Sequence, residues 1–174
     1  MTLHIVIDGY NLIRQSSKFS IIEQQDIQTG RDALVDALVE YKKVKHYAIT
    51  IVFDGAGAPL DMPRKDRIKG INLRFSGMGE TADMVIKRIA AREKQKLLVV
   101  TSDNDILSYA ESMGAAIIRA PEFEKRLIMA RYLACKGEDG ADDPKGRSFG
   151  TKKKGPARRL PKNKRRMAKR ISKI

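Results

Sequence analysis

"LHIVIDGYNLI", residues 3–13, opens with an uninterrupted apolar run and then breaks into Asp8, Gly9, Tyr10 and Asn11. A short run rich in Val and Ile, with no polar alternation, reads as a strand buried on both faces. Four more runs have the same character: "AITIVFD" (48–54), "INLRFS" (71–76), "LLVVTSD" (97–103) and "AAIIRA" (115–120). Helical patterns separate most of them. Residues 30–45 place Leu34, Val35, Leu38 and Val39 on one face, and residues 81–95 do the same with Ala82, Val85, Ile86, Ile89 and Ala90. "ILSYAESMG" (106–114) ends on a glycine suited to a helix C-terminus, and residues 121–137 start at Pro121 and stop at Gly137. Apolar strands alternating with helices specify an α/β fold, a mainly parallel sheet covered on both faces.

The chain has 174 residues, enough for one substantial core and an appendage. Cys135 is its single cysteine, which excludes an internal disulfide and a cysteine-based zinc cluster. "MTLHIVID" lacks the features of a signal peptide and no apolar run reaches membrane-spanning length, so a cytoplasmic protein without a membrane partner is expected. The net charge of +14 is unevenly spread: residues 145–174 carry fourteen Lys or Arg and no Asp or Glu. Removing those fourteen from the 35 basic residues leaves 21 in residues 1–144, equal to the 21 acidic ones, so that stretch is formally neutral. The basic C-terminal tail is rich in Gly, Pro and charge and is expected to be disordered, with a boundary near residues 136–146. We therefore divide the chain into a body, 1–136, and a tail, 137–174.

A doubly wound sheet binds ligands beyond the carboxyl ends of its strands. Asp8, Asp54 and Asp103 end three of the runs, Asp105 lies just beyond, and Asp83 falls in the first turn of the helix that follows "SGMGET". Carboxylates crowded at one edge repel unless some are protonated or they hold a cation, and oxygen ligands without His or Cys favour Mg²⁺ or Mn²⁺. Such ions activate water and neutralise charge on a phosphodiester. Each acid also has a plainer reading. Asp8-Gly9 and Asp54-Gly55 are common turn dipeptides, Asp83 could complement a helix dipole, and Asp103 could cap the helix beginning near Asn104. Turn chemistry gives no reason, however, to choose Asp at each ligand-side strand end.

Other motifs fit less well. Gly77-x-Gly79-x-x-Ala82 resembles a dinucleotide-binding turn, but Glu80 and Asp83 would set negative charge where a pyrophosphate belongs. An aspartyl-phosphatase Asp-x-Asp would need an acid where Tyr10 stands. His4 and His46 read as strand or surface residues, and Cys135 as a core position.

"VIDGYNLI", "VFDG", "GETADMVI", "VVTSDNDILSYAESMGA" and "APEF" together resemble the YacP-like NYN-domain proteins of the PIN-like ribonuclease superfamily. The resemblance spans about residues 3–135 and does not reach the basic extension. It implies a three-layer α/β/α fold of PIN-like type and hydrolytic cleavage of RNA by a metal-dependent endoribonuclease. Asp8, Asp83 and Asp103 match the acidic centre, Asn11 matches the same motif, and Asp54 and Asp105 match less securely. Asn11 would orient Asp8 or a phosphate oxygen, and Asp54 and Asp105 would be outer ligands. A non-catalytic RNA- or ribosome-binding module and a DNA-directed nuclease are the alternatives. For the tail we expect RNA binding, with the ribosome as one candidate partner, through Lys152, Lys153, Lys154, Arg158, Arg159, Lys162, Lys164, Arg165, Arg166, Lys169 and Arg170, because such a charge density releases many counterions on meeting phosphates. Met167, Ile171 and Ile174 recur at a spacing that would let this end become helical on contact.

Overall fold

A computed structural model describes residues 3–55, 64–138 and 162–174, with the backbone alone for 135–138 and 162–164. Its centre is strand β1 (His4–Asp8), paired in parallel with β2 (Ala48–Phe53) on one side and β5 (Leu97–Val100) on the other. Strand β4 (Ile71–Phe75) extends the sheet beyond β2, and β6 (Ala116–Ile118) extends it beyond β5, both in parallel. These five strands lie within the five apolar runs. A sixth, β3 (Lys65–Ile68), adds antiparallel to β4, giving the order β3-β4-β2-β1-β5-β6. Its sequence, Lys-Asp-Arg-Ile, has no apolar signal because it is an edge strand, where charge discourages further pairing.

The helices are α1 (Gly9–Gln15), α2 (Ser17–Gln25), α3 (Ile27–Lys45), α4 (Ala82–Glu93), α5 (Asn104–Ser112), α6 (Ala120–Glu138) and α7 (Lys162–Ile171). Helices α1 and α2 were not anticipated. They are short, and their starts are set by side-chain caps: Asp8 accepts from the Asn11 N–H, Ser16 from the Phe19 N–H. Thr81 caps α4 by the same means.

The pleat of β1 divides the core. Ile5 and Ile7 face a layer containing Leu12, Leu34, Leu38 and Phe123, whereas Val6 faces Val85, Ile86, Ile89 and Ile106. All three β1 residues are fully buried, as a central strand with helices on both faces requires. The architecture is thus α/β/α with a mainly parallel sheet. Among the described residues no helix is long and apolar enough to cross a membrane.

Two expectations are corrected. Strand β5 stops at Val100, so Asp103 does not end a strand; it caps α5, accepting from the Asp105 N–H at 2.7 Å and the Ile106 N–H at 3.4 Å. The end of the basic segment is not disordered: α7 is a helix against the body. Ile171 packs on the core and Ile174 is buried in it. Arg126 Nη1 donates to the Ile171 carbonyl at 2.6 Å, Lys45 Nζ to that of Lys173 at 3.1 Å, and the Tyr41 hydroxyl to that of Ile174 at 3.3 Å. The apolar spacing that suggested folding on RNA finds its apolar partner in the chain's own core. Lys152, Lys153, Lys154, Arg158 and Arg159 lie outside the described residues.

If this docking is intrinsic, replacing Ile171 and Ile174 together by Ala lowers unfolding stability by about 2–4 kcal/mol. Urea titration of the free protein checks this; an unanchored tail gives no change.

Candidate active site

The turn from strand to helix takes no intervening residue: Asp8 ends β1 and Gly9 begins α1. A Cβ at position 9 would overlap the Phe53 ring and lie 2.9 Å from Ile51 Cγ2, so only glycine lets the helix start there. Asp8 is both the cap of α1 and a cleft residue. Its Oδ1 accepts from the Asn11 N–H at 3.2 Å and its Oδ2 from the Thr101 hydroxyl at 3.2 Å. The same Thr101 oxygen accepts from the Asp103 N–H at 3.2 Å. Besides the N–H that Asn11 gives to Asp8, its side-chain oxygen accepts from the Ser102 N–H at 2.7 Å. It therefore pins the β5–α5 connection, the loop carrying Asp103, to α1.

These contacts shape an open cleft of about 540 Å³ at the carboxyl edge of the sheet. Asp8, Asp54, Asp83 and Asp103 line it, with Asn11, Tyr10, Arg14, Gln15 and Thr81. Asp54, one residue past β2, accepts from the Ser76 hydroxyl at 3.3 Å. Asp105 is not among the lining residues. Its side chain is 75% exposed and ion-paired with Lys87, which also lies 3.5 Å from Asp83. Among the described residues no three His, Cys, Asp or Glu side chains are gathered closely enough to form a ready metal centre. The acids converge on one cleft without closing around one point.

Electrostatics records this convergence. Burial is the main cause that raises the Asp8 carboxyl to about 6; hydrogen bonds from Asn11 and Thr101 oppose it, and repulsion from Asp83 and Asp103 adds to it. Asp83 is also raised, chiefly by burial, with Lys87 opposing and Asp103 reinforcing. The oxygen donors of these carboxylates are of the kind that hard divalent cations favour.

The remaining motifs resolve simply. Glu80 in the glycine turn pairs with Arg88 and accepts weakly from the Gly77 N–H at 3.5 Å, so the turn's own carboxylate sits where a pyrophosphate would need donors. His4 on β1 bonds Glu93 at 2.6 Å and Thr50 at 2.8 Å, and His46 forms the left-handed end of α3. Cys135 lies on α6.

Sequence reading missed Arg31. It is 2% exposed, with its guanidinium 5.3–5.6 Å from the ring centroids of Tyr10, Phe53 and Phe75. Its Nε donates to the Tyr10 hydroxyl at 3.0 Å and its Nη1 to Gln28 at 3.2 Å. A cation over aromatic faces is stabilised by their quadrupoles, and the arrangement holds Tyr10 at the cleft wall. An isolated Arg in a helix carries no signal for this, since the three rings come from three different elements.

The Asp8 shift has a definite sign. A carboxyl whose pKa is higher folded than unfolded costs stability as pH rises from about 4 through 6, and the cost is complete above that. Asp8→Asn removes it. In metal-free protein at pH 7.5 the variant is expected to be more stable by about 1–3 kcal/mol, with the gain vanishing near pH 4. Chemical denaturation in EDTA at the two pH values checks this.

Comparison with known proteins agrees with this fold. The sequence model of the YacP-like NYN domain matches residues 5–171, so the match runs through α7 and beyond the stretch that carries the resemblance in sequence. The uncharacterized protein YacP of Bacillus subtilis is 26% identical over 86 residues, covering 49% of this chain and 50% of that protein, about half its length. Two crystal structures of Rae1 (YacP) from Bacillus subtilis share the fold. One superposes with a TM-score of 0.67 at 22% identity over 80% of this chain and 81% of the other. The second, of a mutant form of the same protein, gives 0.63 at 21% identity over 76% and 79%. A family match along almost the whole chain, on a fold that brings Asp8, Asn11, Asp83 and Asp103 to one cleft, leads to one conclusion: this chain belongs to the YacP-like NYN domain family of the PIN-like nuclease superfamily.

Proposed function

We propose that this protein is a metal-dependent endoribonuclease that hydrolyses RNA phosphodiester bonds. The observation that carries the reading is the convergence of Asp8, Asp83 and Asp103, from three separate elements, on one open cleft in a member of a nuclease superfamily. Asp8, Asp83 and Asp103 are the residues that would hold Mg²⁺ or Mn²⁺. When bound, such a cation lowers the pKa of a water and offsets charge on the phosphodiester.

The chain's own residues supply orientation. Thr101, bonded to both Asp8 and the Asp103 N–H, keeps these two acids in a fixed relation, and Asn11 holds the intervening loop against α1. Fixing donors before substrate arrives avoids reorganisation during the reaction. In this reading Arg14, 67% exposed at the cleft wall, paired with Glu23 at 3.5 Å and 5.2 Å from the Tyr10 ring centroid, would meet a phosphate of the incoming strand. Asp54 shapes the cleft through Ser76, and Asp105 acts outside it.

The basic segment serves as the RNA anchor in this reading. Arg165, Arg166 and Lys169 are exposed on α7, whereas the following residues, to Ile174, reach Lys45 and Tyr47 just before β2, at the sheet edge opposite the carboxylates. Binding through α7 would then be separate from chemistry at the cleft.

The test uses the full chain on labelled RNA and DNA of one sequence, with Mn²⁺, Mg²⁺ or EDTA. Cleavage of RNA that requires the cation is expected. Asp83→Asn should cut the single-turnover rate at least about 100-fold, beyond what loss of an outer-shell partner usually costs, while shifting stability by no more than about 1 kcal/mol. Full activity in EDTA, or a fully active Asp83→Asn protein, overturns the metal mechanism; preferred cleavage of DNA overturns the substrate. For the anchor, changing Arg165, Arg166 and Lys169 to Gln should weaken RNA binding and flatten its salt dependence without altering the saturated rate. Filter binding across a salt series reads this.

A further inference from the structure

Lys87 stands one helical turn after Asp83 on α4, so its side chain returns over that carboxylate, with Nζ 3.5 Å from Asp83 Oδ2. The same ammonium bonds Asp105 Oδ2, in the first turn of α5. It is 25% exposed and links the two helices that carry Asp83 and Asp105. An ordinary surface ion pair would need no further account. Here, however, one partner lines the cleft and the other, expected at the site from sequence, does not. The described acids, moreover, are not gathered around a common point.

Resting on the divalent-cation reading above, we infer that Lys87 is a tethered counter-ion of this site: its ammonium holds Asp83 and Asp105 and competes with the divalent cation for Asp83. It is a positioning residue that sets how tightly the metal binds. The physical reason is charge. A fixed positive group within reach of Asp83 already neutralises part of the carboxylate charge that a cation would use. Two cations near one carboxylate also repel, so metal binding must draw Asp83 away from Lys87 or proceed against its field. As the ammonium is released from Asp83 it keeps Asp105, which explains why an acid just outside the cleft is part of the arrangement.

The experiment compares Mn²⁺ binding by isothermal titration in full-length wild type, K87M and K87R, at low ionic strength and without nucleic acid. A remote pair, Lys69 with Asp36, serves as control through K69M. K87M is expected to bind Mn²⁺ about tenfold more tightly than wild type, as removing a nearby unit charge would give, with K87R and K69M within about twofold of wild type. Lys87 should also react faster with an amine-acylating reagent when Mn²⁺ is present, read by mass spectrometry in the wild type itself. Mn²⁺ binding in wild type with equal or weaker binding in K87M overturns this inference and leaves the metal reading standing. The same holds for acylation of Lys87 that is unchanged by saturating Mn²⁺. Absence of Mn²⁺ binding in wild type and K87M alike overturns both.

Discussion

The structure turns on the absence of any linker between β1 and α1. A strand buried on both faces ends at Asp8, and a helix begins at the next residue, directly over Phe53. That junction needs glycine at position 9 and an acceptor at position 8 for the first free N–H groups of the helix. The same requirement holds a carboxylate at the sheet's centre, where neighbouring strands place Asp54 and the loop bearing Asp103 alongside it. Asn11, one turn into α1, then reaches Ser102 and closes the arrangement. Capping and site formation are one set of contacts here, so the plain reading of Asp8 and Asp103 as helix caps and the reading as site residues do not compete.

Residues 1–144, formally neutral and carrying an acidic cleft, are poorly suited to attract a polyanion by themselves. The arrangement separates the two charges: carboxylates are at the carboxyl edge of the sheet, and the exposed basic residues of α7 lie on a helix whose end is fixed at the opposite edge. Long-range attraction and local charge can then be adjusted independently. Two cations stand near the acids: Lys87, outside the cleft lining, is bound to Asp83 and Asp105, and Arg14, at the cleft wall, pairs with Glu23 at 3.5 Å while its side chain stays 67% exposed.

Arg31 shows how the part of the cleft wall formed by Tyr10 is built. Its guanidinium lies among Tyr10, Phe53 and Phe75, and Phe53 is also the ring that excludes a side chain at position 9. One aromatic residue thus supports the junction, the wall residue Tyr10 through ring centroids 5.1 Å apart, and the buried cation. Packing of this density couples the core to the cleft, because displacement of Phe53 would move Asp8 and Tyr10 together.

Much of this protein was legible from its residues alone. Apolar runs without alternation imply strands covered on both faces, because only such strands tolerate Val and Ile at successive positions, and helical periodicity located the covering layers. Strand β3 escaped because an edge strand carries charge, and α1 and α2 escaped because short helices depend on caps more than on period. Asp8 and Asp54 could be placed at one edge because parallel strands put their ends on one side whatever their order in the chain; Asp103 lies on the loop that leaves β5 on that side, and Asp83 in the first turn of the helix that starts there. What only the tertiary structure decided were relations between side chains distant in sequence: Asn11 with Ser102, Lys87 with Asp105, Arg31 with three rings, and Ile174 with the core. The charge of residues 145–174 suggested a free tail, since local composition reports the cost of ordering a segment. It cannot report the apolar surface, made by Tyr41 and its neighbours, that offsets this cost for α7 once the rest of the chain has folded.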